Sequence, residues 1–213
     1  MSPLRLVIFD LDGVLVDACE WHRAALNEAL KEVCDYEIPL DEHYSTFNGT
    51  PTKVKLGILI EREILNAEDQ SQVYDLKQQK TLDIISREGK LHPEKVELIS
   101  WLKRRGLRVA CFTNSIREPA HLMLKKTGVE DLLDIIITNQ DVAKPKPDPE
   151  GYNKILNYYK IEPESAIIVE DSPKGRAAAY AAGCKVLEVE NPEQVTKETV
   201  KRFIDENFDS DGG

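Results

Sequence analysis

Short apolar runs that end abruptly at polar residues recur along the chain. Such runs are typical of strands buried on both faces of a parallel sheet. They predict strands at 4–9, 107–112, 134–137, 166–169 and 185–189. Proline stands at expected helix starts between them and glycine at expected ends: Pro93, Pro119, Pro149 and Pro173, then Gly106, Gly128 and Gly183. The alternation predicts an α/β fold, a doubly wound, mostly parallel sheet with helices on both faces.

The segment between the first and second predicted strands is too long for a simple crossover. It holds roughly ninety residues without a convincing strand pattern, and amphipathic spacing within it predicts helices. The helices are marked by Trp21, Ala25, Leu26, Ala29, Leu30 and Val33, by Val54, Ile58 and Leu65, and by the segment 73–85. We therefore expect a helical cap domain at 18–88, hinged at both ends. Segments 1–17 and 89–213 would form the α/β core domain.

Composition excludes several classes of function. The 213 residues include 28 basic and 38 acidic ones, and the net charge of −10 disfavours nonspecific nucleic-acid binding. The sequence shows neither a signal-peptide pattern nor an apolar stretch of about 20 residues. The cysteines Cys19, Cys34, Cys111 and Cys184 are widely spaced and form no CxxC pair, which favours free buried thiols. We expect a cytoplasmic protein that binds neither nucleic acid nor a membrane.

The first predicted strand ends in two carboxylates, Asp10 and Asp12, followed by Gly13. At a strand end both should project into the crevice where ligands of such sheets bind. One carboxylate can attack a phosphorus centre while the other protonates the leaving oxygen and later activates water. The segment alone is equally compatible with a solvated acidic turn. A calcium loop is disfavoured because the apolar residues at 14–16 replace further oxygen ligands.

Thr113, Asn114 and Ser115 directly follow the second predicted strand. A hydroxyl and backbone N–H groups at this position can hold phosphate oxygens without adding charge. Helix capping is an alternative explanation, above all for Ser115.

Two lysines stand in a proline-rich segment, Lys144 and Lys146. The prolines keep the backbone extended, and such rigidity would position an ammonium group for charge neutralisation. The alternative is a solvated lysine in a proline turn. We assign the functional role to Lys144, from its place in the ordered set of motifs, and expect Lys146 at the surface.

Glu170 and Asp171 close the fourth predicted strand. Adjacent acids at a buried strand end are costly unless a cation or a proton compensates them. Oxygen ligands of this kind suit Mg²⁺ better than zinc.

The ordered motifs resemble those of the haloacid dehalogenase-like superfamily of aspartate-nucleophile phosphohydrolases, in the branch with a helical cap. The resemblance implies that Asp10 forms an aspartyl-phosphate and that Thr113 binds the transferring phosphoryl group, with contacts from Asn114. It implies Mg²⁺ between Asp10, the backbone carbonyl of Asp12 and Asp171. Glu170 would then act through bound water.

The same resemblance suggests substrate-binding residues in the cap. β-Phosphoglucomutase-like members carry a histidine near the substrate at the position of His22, although a packed or surface histidine is an equal alternative. The segment from Phe47 to Lys53 resembles the cap's specificity loop and includes Gly49. Sugar-phosphate mutases have arginine three residues after this glycine, where this chain has Thr52. Lys53 would bind substrate in its place, unless it is a solvated helix lysine.

These inferences predict a Mg²⁺-dependent phosphatase that hydrolyses a small phosphorylated metabolite through an aspartyl-phosphate. A sugar phosphomutase using the same residues is the main alternative. Carbon–halogen hydrolysis is disfavoured, since it needs neither Asp12 nor the acidic pair. A catalytically idle phosphate-binding module is also disfavoured, because binding alone has no use for a nucleophile beside an acid.

Overall fold

A computed structural model describes residues 3–47 and 50–208. Its sheet has five strands, β1 (Leu6–Phe9), β2 (Arg108–Phe112), β3 (Ile135–Ile137), β4 (Ala166–Glu170) and β5 (Lys185–Glu188). All neighbouring strands are parallel, in the order β3-β2-β1-β4-β5. The predicted α/β fold with a parallel sheet is therefore confirmed, with strand ends shifted by one or two residues.

Strand β1 lies at the centre of the sheet because its residues are apolar without interruption. Leu6 pairs with Arg108 on β2 and with Ala166 on β4, which sets the register on both sides. All four residues of β1 are completely buried. Helices therefore cover both faces, as a continuous apolar strand requires.

The helices of the described residues are α1 (Cys19–Cys34), α2 (Leu40–Glu42), α3 (Thr52–Glu61), α4 (Gln70–Glu88), α5 (Pro93–Arg104), α6 (Arg117–Thr127), α7 (Glu150–Tyr159), α8 (Pro173–Ala181) and α9 (Lys197–Asn207). A π-helical turn, His43–Phe47, follows α2 directly. Pro93 and Pro173 open their helices as predicted. Pro119 instead lies inside α6, and Pro149 is the residue before α7. Gly128 ends α6 with a φ of 85°, a left-handed conformation that glycine adopts without strain.

The chain divides into two compact units. One comprises the chain up to Asp17 and from Lys90 onward, and contains the sheet. The other runs from Ala18 to Gly89, one residue beyond the predicted end of the cap domain at residue 88. This helical unit has its own core, built from residues of α1, α3 and α4 with the π-helical turn, including Leu26, Leu30, Phe47, Leu59 and Val73.

The cysteines are free thiols. Cys111 and Cys184 are buried as expected, but Cys19 and Cys34 are only half-buried. Among residues 3–47 and 50–208, none of the helices combines the length and apolar character that a bilayer crossing demands.

Candidate active site

The predicted motifs of the sheet-containing unit meet at one edge of the sheet. Asp10 follows β1, Thr113 follows β2, and Glu170 is the last residue of β4. The strand order reverses between β1 and β4, since the chain runs outward to β3 on one side and to β5 on the other. In open parallel sheets the crevice beyond the carboxyl ends of such strands is the usual ligand site.

Asp10 is buried, with 7% of its surface exposed. Its backbone N–H donates to the Val169 carbonyl at 3.0 Å, which continues the β1–β4 ladder by one residue. Its Oδ1 accepts a hydrogen bond from Nζ of Lys146 at 2.8 Å. Burial and the negative charge of Glu170 raise the pKa of Asp10 well above its usual value, and Lys146 opposes this rise.

A tight turn after β1 carries Asp12. Gly13 has a φ of 85°, and its N–H donates to the Val16 carbonyl at 2.7 Å. A Cβ atom at Gly13 would lie 2.2 Å from Oδ2 of Asp171, so only glycine fits. The turn thus brings Asp12 and Asp171 to the same crevice.

Two hydroxyl groups hold the Asp12 carboxylate. Its Oδ2 accepts from Oγ1 of Thr113 at 3.2 Å and from Oγ of Ser115 at 2.8 Å. Ser115 does not cap α6, because that helix begins at Arg117 and Ile116 is the residue before it. From the sequence, Ser115 could either cap a helix or bind phosphate. In the structure its hydroxyl contacts Asp12.

Lys146, and not Lys144, occupies the position beside Asp10. The Lys146 side chain is 3% exposed, and its Nζ lies 2.8 Å from Oδ1 of Asp10 and 2.7 Å from Oε2 of Glu170. The Lys144 side chain is 74% exposed, and its nearest carboxylate belongs to Asp148 at 3.8 Å. The prediction that Lys144 lies against Asp10, with Lys146 at the surface, is therefore wrong.

Backbone hydrogen bonds explain this exchange. Oδ1 of Asn114 accepts from the Lys146 N–H at 3.0 Å, and Nδ2 of Asn114 donates to the Lys146 carbonyl at 3.2 Å. The Lys144 N–H is instead bound by the Glu150 carboxylate at 2.9 Å. Asn114 thus fastens the loop so that Lys146 points inward. The repeated Lys-Pro pattern gave no signal that separates the two lysines.

Glu170 is completely buried, and four donors surround its carboxylate. Oε2 accepts from Lys146 and from the hydroxyl of Tyr152 at 2.9 Å. Oε1 accepts from the N–H of Ser172 at 3.2 Å and from its hydroxyl at 3.0 Å. Burial opposes ionisation, but the Lys146 charge and these hydrogen bonds outweigh it and lower the pKa of Glu170.

Asp171 differs, because its Oδ1 is buried without a hydrogen-bond partner among the described residues. Burial and the negative charge of Glu170 raise the pKa of Asp171 to about 7. Carboxylate oxygens of Asp10, Glu170 and Asp171 lie within 4.8 Å of one another. An all-oxygen cluster with an unpartnered buried oxygen fits a hard divalent cation.

The predicted cap residues belong to the helical unit. On α1, Nδ1 of His22 lies 3.3 Å from Nζ of Lys77. Lys53 is exposed on α3, and its Nζ lies 5.5 Å from the ring centre of Tyr74. It lines a cavity of 430 Å³ together with residues of α3 and α4, among them Ser71 and Tyr74. Gly49 lies outside the described residues, and the substrate-binding roles of all three residues stay predictions.

Comparison with known proteins identifies the family. Residues 7–189 match the family model of the haloacid dehalogenase-like hydrolases. Phosphoglycolate phosphatase of Nitrosospira multiformis is 30% identical over 193 residues, which cover 87% of this chain and 82% of that protein. The crystal structure of CbbY from Rhodobacter sphaeroides in complex with phosphate has a TM-score of 0.77 and 25% identity, over 87% of this chain and 85% of that one. β-Phosphoglucomutase from Clostridium difficile shares the fold, with a TM-score of 0.80 and 20% identity over 95% of this chain and 98% of that one. The chain belongs to the haloacid dehalogenase-like hydrolases.

Proposed function

We propose that the protein is a Mg²⁺-dependent phosphatase that hydrolyses a small phosphomonoester through an aspartyl-phosphate on Asp10. The observation that carries the proposal is the buried contact of Asp10 with Lys146, beside an Asp12 carboxylate held by two hydroxyls. A pure binding site would not need a buried carboxylate where an anionic phosphate must enter. The named phosphatases among the relatives support the same reaction.

In the first step a carboxylate oxygen of Asp10 attacks phosphorus. The bond between phosphorus and the ester oxygen breaks, and Asp12 gives its proton to the leaving alkoxide. Lys146 offsets the negative charge that Asp10 and the phosphoryl oxygens bring together. Thr113 would contact the phosphoryl group through its hydroxyl once Asp12 turns to the leaving oxygen.

In the second step Asp12 acts as a base. It takes a proton from water as the water oxygen attacks the phosphorus of the aspartyl-phosphate. The bond between phosphorus and the Asp10 oxygen breaks, inorganic phosphate leaves, and both carboxyl groups return to their starting states.

The residues that would hold Mg²⁺ are Asp10 and Asp171, with the backbone carbonyl of Asp12. When bound, the cation supplies charge neutralisation for the transferring phosphoryl group. Glu170 would act through water, because four hydrogen-bond donors already surround its carboxylate.

We infer a small phosphorylated metabolite as the substrate, because phosphoglycolate phosphatase is among the similar proteins. The net charge of −10 does not attract anions, so local groups at the site must attract the phosphate. A cytoplasmic location belongs to the proposal and is supported by the free cysteine thiols, which suit a reducing compartment. The helical unit would act as the cap that selects the substrate.

A phosphate-release screen tests the proposal. It compares sugar phosphates, nucleotides and phosphoglycolate-like acids, with and without Mg²⁺, and uses Asp10→Asn as the inactive control. Phosphate release from at least one small ester, dependent on Mg²⁺ and on Asp10, is expected. Release that persists in Asp10→Asn would reject the proposed nucleophile.

A sugar phosphomutase is the second candidate, favoured by His22 on α1. The absence of arginine at Thr52 argues for water as the main acceptor instead. The two are separated by supplying β-glucose 1-phosphate with a catalytic amount of glucose 1,6-bisphosphate. Conversion to glucose 6-phosphate that outpaces phosphate release would establish the mutase.

A further inference from the structure

Tyr152 lies on α7 and is completely buried at the site, yet no step of the proposed reaction uses it. Its hydroxyl donates to Oε2 of Glu170 at 2.9 Å. The same oxygen accepts from Nζ of Lys146 at 2.7 Å. Tyr152 therefore shares one carboxylate oxygen with the ammonium group that contacts Asp10.

The aromatic ring of Tyr152 also borders this ammonium group. Nζ of Lys146 lies 5.2 Å from the ring centre of Tyr152 and 4.8 Å from that of Phe112. The two rings pack edge to face, with centres 4.9 Å apart at an angle of 90°. Gly151 makes this packing possible, because a Cβ atom there would lie 2.3 Å from the Phe112 ring. Packing against Phe112 thus fixes the position of the Tyr152 ring.

The charge balance around Lys146 explains why this hydroxyl matters. The ammonium is shared between two carboxylates, those of Asp10 and Glu170. A hydrogen bond to Oε2 disperses part of the Glu170 charge and fixes the direction of its lone pairs. Without that donor, the Glu170 carboxylate could turn away from the orientation in which it and Asp10 share the ammonium, and Lys146 would be held less firmly against Asp10.

We propose that Tyr152 is a positioning residue that fixes Glu170 and thereby holds Lys146 against the nucleophile Asp10. The catalytic part of this inference rests on the proposed phosphatase function. The structural part does not, since it concerns only the orientation of two buried side chains.

The test compares Tyr152→Phe with Tyr159→Phe, which removes a hydroxyl from the same helix at a residue that contacts Arg108 and Tyr158 instead of the site. The first readout is the rate at which an amine-reactive reagent labels Lys146, mapped by mass spectrometry without substrate. The second is kcat and KM for p-nitrophenyl phosphate. Thermal unfolding of each variant separates lost stability from lost positioning.

Tyr152→Phe should label Lys146 about tenfold faster and lower kcat about tenfold, since a hydrogen bond to a charged group is lost. KM of Tyr152→Phe should stay near the wild-type value. In Tyr159→Phe the labelling rate, kcat and KM should all match the wild type. Unchanged labelling in Tyr152→Phe would overturn the inference, and faster labelling with unchanged kcat would overturn its link to catalysis. A wild type that releases no phosphate would reject the proposed function, and labelling alone would then decide the role of Tyr152.

Discussion

At the scale of single residues, the two lysines of the proline-rich segment offer a matched pair for mutation. Lys146→Met should lower kcat by at least ~100-fold, because the charge that faces Asp10 is lost. It should also cost about 3 kcal/mol of stability, since Glu170 stays buried without its cation. Lys144→Met should leave both quantities near wild type. Phosphate release and chemical unfolding check the pair, and equal losses in both variants would refute the assignment of Lys146.

Asp171 is expected to bind the Mg²⁺ ion. Its unpartnered buried Oδ1 is the oxygen best placed to bind a cation. Asp171→Asn should raise the Mg²⁺ concentration that half-saturates activity, and should weaken the thermal stabilisation that Mg²⁺ gives the wild type. Ser172→Ala, which changes the neighbouring contact to Glu170, serves as the comparison. An unaltered Mg²⁺ dependence in Asp171→Asn would exclude it as a ligand.

Sequence reasoning located the site residues that directly follow strands. Asp10 and Thr113 come straight after buried apolar runs, and Asp171 follows Glu170 at the end of β4. Parallel strands bring such positions to one edge of the sheet. Lys146 was missed because a loop's direction depends on tertiary hydrogen bonds. Here Asn114 provides those bonds from a position that is distant in sequence. Tyr152 gave no signal, since an aromatic residue on a helix is most often only part of the core.

At the scale of elements, the turn after β1 depends on Gly13. Gly13→Ala combines a left-handed backbone conformation with a clash against the Asp171 carboxylate. We expect a loss of at least ~1 kcal/mol in stability and a larger proportional loss of activity, because Asp12 and Asp171 both move. Gly57→Ala on α3 is the control, since no atom beyond its chain neighbours and its own helix backbone lies within 4 Å of the added Cβ. That control should be neutral or stabilising by up to ~1 kcal/mol, as thermal unfolding would show.

His43, in the π-helical turn, should make the stability of the protein depend on pH. Burial, then the charges of Lys55 and Arg23, lower the pKa of His43 to about 4, while Glu20 opposes this. The folded pKa lies below the unfolded value, so neutral His43 favours folding above about pH 6.5, and this contribution is lost as pH falls towards 4. Between pH 7 and pH 4.5 His43→Phe should lose roughly 2 kcal/mol less stability than the wild type.

Unfolding by urea at both pH values measures the His43 effect, and His92→Phe provides a control at a histidine whose side chain is 26% exposed. The account of His43 would be wrong if both variants showed the wild-type pH dependence.

Along the full chain, the alternation of strand and helix was sufficient to predict the fold class. The five apolar runs became five parallel strands, because only helices on both faces can cover such runs. The ends of the helices inside the helical unit could not be predicted as well. Val54, Ile58 and Leu65 were assigned to one helix, but α3 ends at Glu61 and a turn with a φ of 58° at Glu63 follows. Nothing in the apolar spacing marks that turn.

After the first step, Asp10 should carry the phosphoryl group. Asp12→Ala lacks the base for the second step but can still accept a phosphoryl group from p-nitrophenyl phosphate, whose leaving group needs little protonation. Intact-protein mass spectrometry of this variant with Mg²⁺ should show one added phosphoryl group, and peptide mapping should place it on Asp10. The double variant Asp10→Asn with Asp12→Ala should show none. A phosphoryl group on another residue, or none during continued turnover, would contradict the account.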